Sequence, residues 1–274
     1  MVVPTASLGE DQPATMAEYL AALPLSLDRL RRLVQSGAVD AYVEAEGLPL
    51  SSVELLPPIP RPGKIVAVGL NYRSHAAEQG REPPTEPVIF AKYSTAVVPS
   101  GAEIRWDEEL TRNVDYEAEL AAVIGRSARW VSEAQALDHV AGYTCLNDVS
   151  ARDLQYADKQ FTRAKSLDTF ASLGPALVTA DEVGDPQALG LRCLVNGELR
   201  QESTTAEMVF SVAALVSFCS QAFTLEPGDV IATGTPAGVG WFREPKLMLA
   251  DGDEVVVEIE RVGRLVNRCR VVGA

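Results

Sequence analysis

The chain has 274 residues, 47% of them hydrophobic and 23% charged, which suits one large domain with a packed core, alone or with a small appendage, and excludes global disorder. Its formal net charge of −14 repels nucleic acid and anionic membranes and argues against both as partners. An anionic substrate would be repelled too, and would need a strong local positive charge such as a divalent metal supplies.

No apolar run reaches the ~18–20 residues of a membrane span. Met1 to Gln12 lacks the basic start and apolar stretch of a signal peptide. The cysteines, Cys145, Cys193, Cys219 and Cys269, are dispersed and form no C-x-x-C pair, so reduced thiols in a cytoplasmic protein are expected. Histidine occurs only at His75 and His139, so a poly-histidine metal site is excluded and any metal must take oxygen ligands.

Residues 1–15 are small and polar and are expected to be loosely attached. Residues 16–36 read as two short helices broken near Pro24. Ser26 is placed to cap the second helix, with Leu27, Leu30, Leu33 and Val34 as its apolar face and Gly37 as its end. The run Pro57-Pro58-Ile59-Pro60-Arg61-Pro62-Gly63 reads as a stiff linker, and it divides a small N-terminal region, 1–62, from a larger domain, 63–274.

Beyond the linker the texture is β-rich. Strands are expected at Lys64–Val68, Pro87–Lys92, Glu117–Ile124, Gly142–Asn147, Ala176–Thr179, Arg192–Val195 and Val230–Ala232. Asn196-Gly197 is a hairpin turn, and Glu254–Glu260 with Leu265–Val271 is a C-terminal hairpin. Phe210–Phe223 is a helix whose Val212, Leu215, Val216 and Cys219 face the core. Because regular helices do not separate the strands, an α+β fold of mixed or antiparallel sheets fits better than a doubly wound parallel sheet.

Four stretches carry candidate chemistry. In Asp115-Tyr116-Glu117-Ala118-Glu119-Leu120, strand alternation puts Glu117 and Glu119 on one face and Tyr116, Ala118 and Leu120 on the other. Two adjacent carboxylates need a counter-charge or a shared proton, and a cluster with nearby arginines meets that need as well as a metal does. Asp148, at the end of the next strand, supplies a third carboxylate, or merely caps a turn. Together the three would make an all-oxygen site suited to Mg²⁺, Mn²⁺ or Ca²⁺.

His75 and Glu78, three residues apart, share one face of a helical turn; they form a general-base dyad or an ordinary surface pair. Between 150 and 166, Arg152, Lys159, Arg163 and Lys165 outnumber Asp153 and Asp158, giving a positive patch or a solvated loop. Thr233 to Gly240 is neither a Walker loop nor a dinucleotide fingerprint. Its glycines let backbone N–H groups approach an anion, with Thr235 adding a hydroxyl, or they serve a tight loop.

Taken in order, these stretches resemble the fumarylacetoacetate hydrolase family over roughly residues 60–272. The matching residues are Val68-Gly69-Leu70-Asn71-Tyr72 through His75 and Glu78, Phe90-Ala91-Lys92, Asp115 to Leu120, Asn147 to Asp153, Ala164-Lys165-Ser166, Asp168-Thr169-Phe170, Leu173-Gly174-Pro175, Val195 to Glu198, Leu225 to Asp229, and Thr233 to Gly240. The resemblance implies a β-rich mixed-sheet roll, usually a homodimer, with Mg²⁺ or Mn²⁺ held by Glu117, Glu119 and Asp148.

It further implies that His75 with Glu78 orients or deprotonates water, that Lys165 stabilises negative charge, and that Gln155 and Thr235 contact the substrate, a small anionic oxo-acid. Lys92 falls at the family's lysine after a strand and is a substrate-binding candidate. The family's Gly-Arg-Asn-Tyr turn reads Gly69-Leu70-Asn71-Tyr72 here, which removes one carboxylate-holding arginine and makes Arg73 the neighbouring candidate. The common Lys-Ser-Phe-Asp reads Lys165-Ser166-Leu167-Asp168, and the usual N-terminal hairpin is not evident in residues 1–20. The expected activity is metal-dependent C–C hydrolysis of an acylpyruvate-type acid; the alternative is isomerisation, or oxaloacetate-type decarboxylation, of a 2-oxo acid on the same site.

Overall fold

The computed structural model describes residues 2, 13, 15–23 and 25–273. The chain divides into two compact units, Met1–Leu55 and Leu56–Ala274.

The first unit holds helices α1 (Met16–Ala21), α2 (Leu25–Gln35) and α3 (Ala38–Glu46). Thr15 caps α1 with a reciprocal box: its hydroxyl accepts from the Glu18 N–H, and its own N–H donates to the Glu18 carboxylate. Ser26 does not cap α2. It lies inside the helix, buried, and its hydroxyl donates to the Tyr19 carbonyl at 2.8 Å. The sequence reading missed α3; the chain turns into it at Gly37, whose φ of 73° is left-handed. Most of the segment expected to be loosely attached lies outside the described residues. Val2, which is described, makes an isolated bridge with Leu48.

In the second unit the Pro-rich run forms neither helix nor strand, yet Pro58, Ile59 and Pro62 are buried. The strands are β1 (Ile65–Gly69), β2 (Val88–Lys92), β3 (Val97–Val98), β4 (Glu103–Asp107), β5 (Val114–Asp115), β6 (Ala118–Ile124), β7 (Val140–Asp148), β8 (Ser150–Ala151), β9 (Ala171–Thr179), β10 (Gly190–Val195), β11 (Glu198–Thr204), β12 (Val230–Ala232), β13 (Glu254–Ile259) and β14 (Gly263–Val272). The helices are α4 (Arg73–Glu78), α5 (Glu133–Ala136), α6 (Arg152–Asp158), α7 (Phe161–Lys165), α8 (Ala180–Val183) and α9 (Val212–Ala222).

A seven-stranded sheet runs β2-β1-β12-β6-β7-β9-β3, and a five-stranded sheet runs β11-β10-β13-β14-β4. Both are mixed: β1 with β12, β3 with β9, and β14 with β4 are parallel, and the other neighbours are antiparallel. The fold is therefore α+β with curled mixed sheets. The five-stranded sheet packs across β6, β7 and β9, and the core lies between them, built from Leu120, Ala122 and Ile124 against Leu191, Cys193, Val257 and Leu265. Each fully buried aliphatic side chain contributes ~1.5–3 kcal/mol. Every residue of β6 is buried, as a central strand covered on both faces requires.

The hairpin at Asn196-Gly197 has left-handed φ values of 52° and 79°, the geometry of a two-residue turn between β10 and β11. Strand β4 was not anticipated. Its Ile104 and Trp106 are buried while Arg105 faces out, and it closes one edge of the five-stranded sheet beside β14. No helix among the described residues is long and apolar enough to cross a membrane.

Candidate active site

The alternation read in the sequence places the carboxylates. Tyr116, Ala118, Leu120, Ala122 and Ile124 enter the core, which turns Glu119 to the opposite face, with Glu117 one step before β6. Antiparallel pairing sets Asp148, the last residue of β7, opposite Glu117: the Asp148 N–H donates to the Glu117 carbonyl at 2.9 Å. Carboxylate oxygens of Glu117, Glu119 and Asp148 lie within 4.8 Å of one another, and all three residues are buried.

Buried cations surround this group. Lys165 Nζ donates to Glu117 at 2.7 Å and to Asp148 at 2.9 Å. Arg152 bridges Asp115 at 2.8 Å and Glu117 at 2.7 Å. Lys92 donates to Asp148 at 2.5 Å and to the Lys165 carbonyl. Glu119 differs from its neighbours. It accepts from the Gly234 N–H at 2.8 Å, but no Lys, Arg or His ion-pairs with it among the described residues.

The electrostatics follow from that asymmetry. Burial pushes the Glu117 carboxyl up, but Lys165, Arg152 and His75 outweigh it and hold the group at about 2. Burial, Asp148 and Glu117 together push Glu119 well above the usual carboxylate range. Burial lowers the Lys92 ammonium despite Asp148. Lys165 is also pulled down by burial, but Asp148 and Glu117 outweigh that and raise it. Three close carboxylates, one without a cation, fit a hard divalent ion with oxygen ligands.

Helix α4 carries the dyad. His75 Nδ1 lies 2.6 Å from Glu78 Oε1, and its Nε2 lies 2.9 Å from the Gln79 side-chain amide. With Nδ1–H donating to Glu78, Nε2 is the basic nitrogen. The Thr233 to Gly240 loop does bind anions with its backbone, but they are the protein's own: Gly234 N–H donates to Glu119, and Gly238 N–H donates to Glu78 at 2.9 Å. Gly234 has a φ of +96°, and a Cβ there would sit 2.8 Å from the Asn71 side chain.

A cavity of about 310 Å³ opens onto this arrangement. The buried His75, Glu117, Arg152, Lys165 and Thr235 line it, and Gln155 also reaches it. Lys92 and Arg73, expected as substrate contacts, are not among the residues that line this cavity. Lys92 is buried behind Asp148, because that carboxylate needs a counter-charge. Arg73 is exposed outside the cavity and donates to the Met208 carbonyl at 3.4 Å.

The sequence profile described as fumarylacetoacetate (FAA) hydrolase C-terminal matches residues 64–270. The chain belongs to the fumarylacetoacetate hydrolase family. It is 45% identical, over 93% of its length and 80% of the relative's, to the mitochondrial oxaloacetate tautomerase FAHD2B of Bos taurus. Among solved structures, it resembles a 2-hydroxyhepta-2,4-diene-1,7-dioate isomerase from Mycobacterium marinum at 45% identity and a TM-score of 0.73, covering 83% of this chain and 81% of that one. It also resembles a fumarylacetoacetate hydrolase from Exiguobacterium antarcticum at 42% identity and a TM-score of 0.74, covering 80% and 79%.

Within this member of the fumarylacetoacetate hydrolase family, several site residues escaped the sequence reading. Gln201, buried on β11, accepts from the Ala118 N–H and donates to the Thr235 hydroxyl at 2.8 Å, so it ties β6 to the loop. Nothing local marks it. Asp115 accepts from the Gly240 and Trp241 N–H groups as well as from Arg152, and only its place beside Glu117 in the sequence pointed to it. Gln79, Arg81 and Phe242 also line the cavity.

Proposed function

We propose that the chain is a divalent-metal-dependent enzyme that interconverts the enol and keto forms of a small 2-oxo acid. The observation that carries this reading is that His75, backed by Glu78 at 2.6 Å, faces the same cavity as Glu117 and Lys165. The similarity to relatives named as tautomerase and isomerase supports it. We place the enzyme in a reducing aqueous compartment such as the cytoplasm, since all four cysteines are free and buried, and we expect it to be a homodimer.

Glu117, Glu119 and Asp148 would hold Mg²⁺ or Mn²⁺, which when bound polarises the 2-oxo group as a Lewis acid. In the enol-to-keto direction, the C2 hydroxyl gives up its proton and C3 gains one. His75 Nε2, released by Gln79, is the group placed to carry that proton, and Glu78 supports the imidazolium that forms. The Lys165 ammonium faces the cavity and offsets negative charge on the substrate oxygens. Gln155 and Thr235 orient the substrate from the walls.

Hydrolysis of an acylpyruvate, the reading placed first from sequence alone, now stands second. It is favoured by the same dyad, which could hold a water as readily as an enol, and by the resemblance to a named hydrolase. The test is a panel of enol-oxaloacetate, acetylpyruvate and fumarylpyruvate with Mg²⁺ or Mn²⁺. Faster decay of the enol absorbance, without loss of CO₂ and without acylpyruvate cleavage, is expected. Cleavage of acylpyruvates with no effect on the enol would replace this reading by the hydrolytic one, and CO₂ release would point to decarboxylation.

A further inference from the structure

Beside the carboxylates, one edge of β6 is completed by side chains. Its pairing with β12 ends at Ala232, opposite Ala121, and the chain then turns through the left-handed Gly234. Ala118 lies beyond that point on β6, between Glu117 and Glu119. On the β7 side the Glu117 carbonyl accepts from the Asp148 N–H at 2.9 Å. Successive residues of a strand point their backbone groups to opposite sides, so the N–H and C=O of Ala118 face the side that β12 has left. Both groups are buried there and need partners.

A closed ring of hydrogen bonds supplies them. The Ala118 N–H donates to Gln201 Oε1 at 2.9 Å, Gln201 Nε2 donates to the Thr235 hydroxyl at 2.8 Å, and that hydroxyl donates to the Ala118 carbonyl at 3.0 Å. Gln201 Nε2 also donates to the Pro236 carbonyl at 2.9 Å, which uses its second hydrogen. The ring has one sense, because turning the amide over would set donor against donor at Ala118 and acceptor against acceptor at Pro236. Gln201 and Thr235 are 1% and 3% exposed, so the ring is shielded from solvent. Gly234, next to Thr235, donates to the Glu119 carboxylate at 2.8 Å. The ring therefore holds both the peptide between the two glutamates and the loop residue that fixes one of them. Gln201 itself touches none of the three carboxylates; it acts through Ala118 and Thr235.

We propose that Gln201 is a positioning residue for the divalent-metal centre, setting how tightly and how selectively Glu117 and Glu119 hold a small ion. The proposal rests on the reading above that Glu117, Glu119 and Asp148 hold Mg²⁺ or Mn²⁺. Mg²⁺ demands near-ideal placement of its oxygen ligands, whereas the larger Ca²⁺ accepts a looser set. A ring that fixes the peptide between two ligands therefore favours Mg²⁺. Opening the ring lowers the affinity for Mg²⁺ more than that for Ca²⁺.

The test is calorimetric titration of the chelator-treated full chain with Mg²⁺ and, separately, with Ca²⁺, alongside the Tm of each variant. Gln201→Met keeps the side-chain length and removes the ring. Its Mg²⁺ affinity is expected to fall about tenfold, the lower end for loss of an outer hydrogen-bonding partner. Its Ca²⁺ affinity should fall less, so the preference for Mg²⁺ shrinks. Thr235→Val opens the same ring at another member and should shrink the preference in the same way, while Thr235→Ser keeps the hydroxyl and should retain it. That pair decides the matter even if Gln201→Met does not fold. A lower Tm with both affinities unchanged, or lowered equally, overturns the proposal and leaves Gln201 a packing residue. So does a Thr235→Ser variant that loses the preference as Thr235→Val does. A wild-type chain that binds neither ion overturns the metal reading itself, and the proposal with it.

Discussion

His75 is held from both sides of its ring, by Glu78 on Nδ1 and Gln79 on Nε2, and Phe242 packs against it edge-on at 6.2 Å. A histidine so restrained keeps one tautomer and one orientation, which a proton carrier needs. His75→Ala should therefore lower turnover by ~10²–10⁴, the usual worth of a positioned acid–base group. Glu78→Gln should lower it less, because the imidazolium loses its supporting charge while the ring stays. Calorimetric Mg²⁺ affinity should be retained in His75→Ala, because the alanine leaves Glu117, Glu119 and Asp148 in place. Near-wild-type turnover in that variant would show that His75 is a bystander. The three-residue spacing made this pair legible in the sequence, since one helical turn brings such residues together wherever the helix lies. The role of Lys92 was not legible, because an isolated lysine after a strand does not reveal which carboxylate it meets.

Strand β6 and the Thr233 to Gly240 loop work as one element. The Thr233 hydroxyl donates to the Leu120 carbonyl at 2.8 Å, and the Thr235 hydroxyl donates to the Ala118 carbonyl at 3.0 Å. Gly234 sits between them and fixes Glu119. Gly234→Ala forces a left-handed backbone on a residue with a Cβ and drives that carbon toward Asn71 and the Val68 carbonyl. The expected cost is ~1–3 kcal/mol of stability, typical of overpacking. The displaced loop should also weaken Mg²⁺ binding, which calorimetry would register at temperatures where the variant remains folded. Unchanged metal affinity would mean that the loop merely covers the carboxylate. At this scale the sequence showed the strands well wherever apolar residues alternate or run together. It hid β4, whose flanking charges look like a loop, and α6 with α7, whose crowded basic residues look like solvated chain.

For the whole molecule, a net charge of −14 makes the gathering of Lys92, Arg152 and Lys165 around one carboxylate group the main electrostatic feature of the site. A divalent ion that binds the folded chain through Glu119 and its neighbours stabilises it by mass action, ~2.7 kcal/mol at a hundredfold excess over Kd. In a protein of this size that corresponds to several degrees in Tm, at ~2–4 °C per kcal/mol. Calorimetric scans should show Tm rising with Mg²⁺ or Mn²⁺, falling with chelator, and rising again on replenishment. A Tm indifferent to all three would mean that the lysines and Arg152 alone neutralise the cluster.

The sequence by itself determined what depends on short-range geometry: the face on which Glu117 and Glu119 lie, the His75–Glu78 turn, the Asn196-Gly197 hairpin, and a β-rich α+β class. Period-2 alternation and helical spacing act over a few residues and need no knowledge of the rest of the chain. Only the tertiary structure decided which donor meets which carboxylate. Lys165 reaches Glu117 across 48 positions of sequence, Lys92 reaches Asp148 across 56, and Gly234 reaches Glu119 across 115. The Gly234–Glu119 pairing follows from sheet order, with β12 beside β6, whereas the two lysines are brought in by α7, which ends in Lys165 and packs against β2, which ends in Lys92. The same packing sank Lys92 behind Asp148, left Arg73 outside the cavity, and brought Arg81 and Lys159 to its lining.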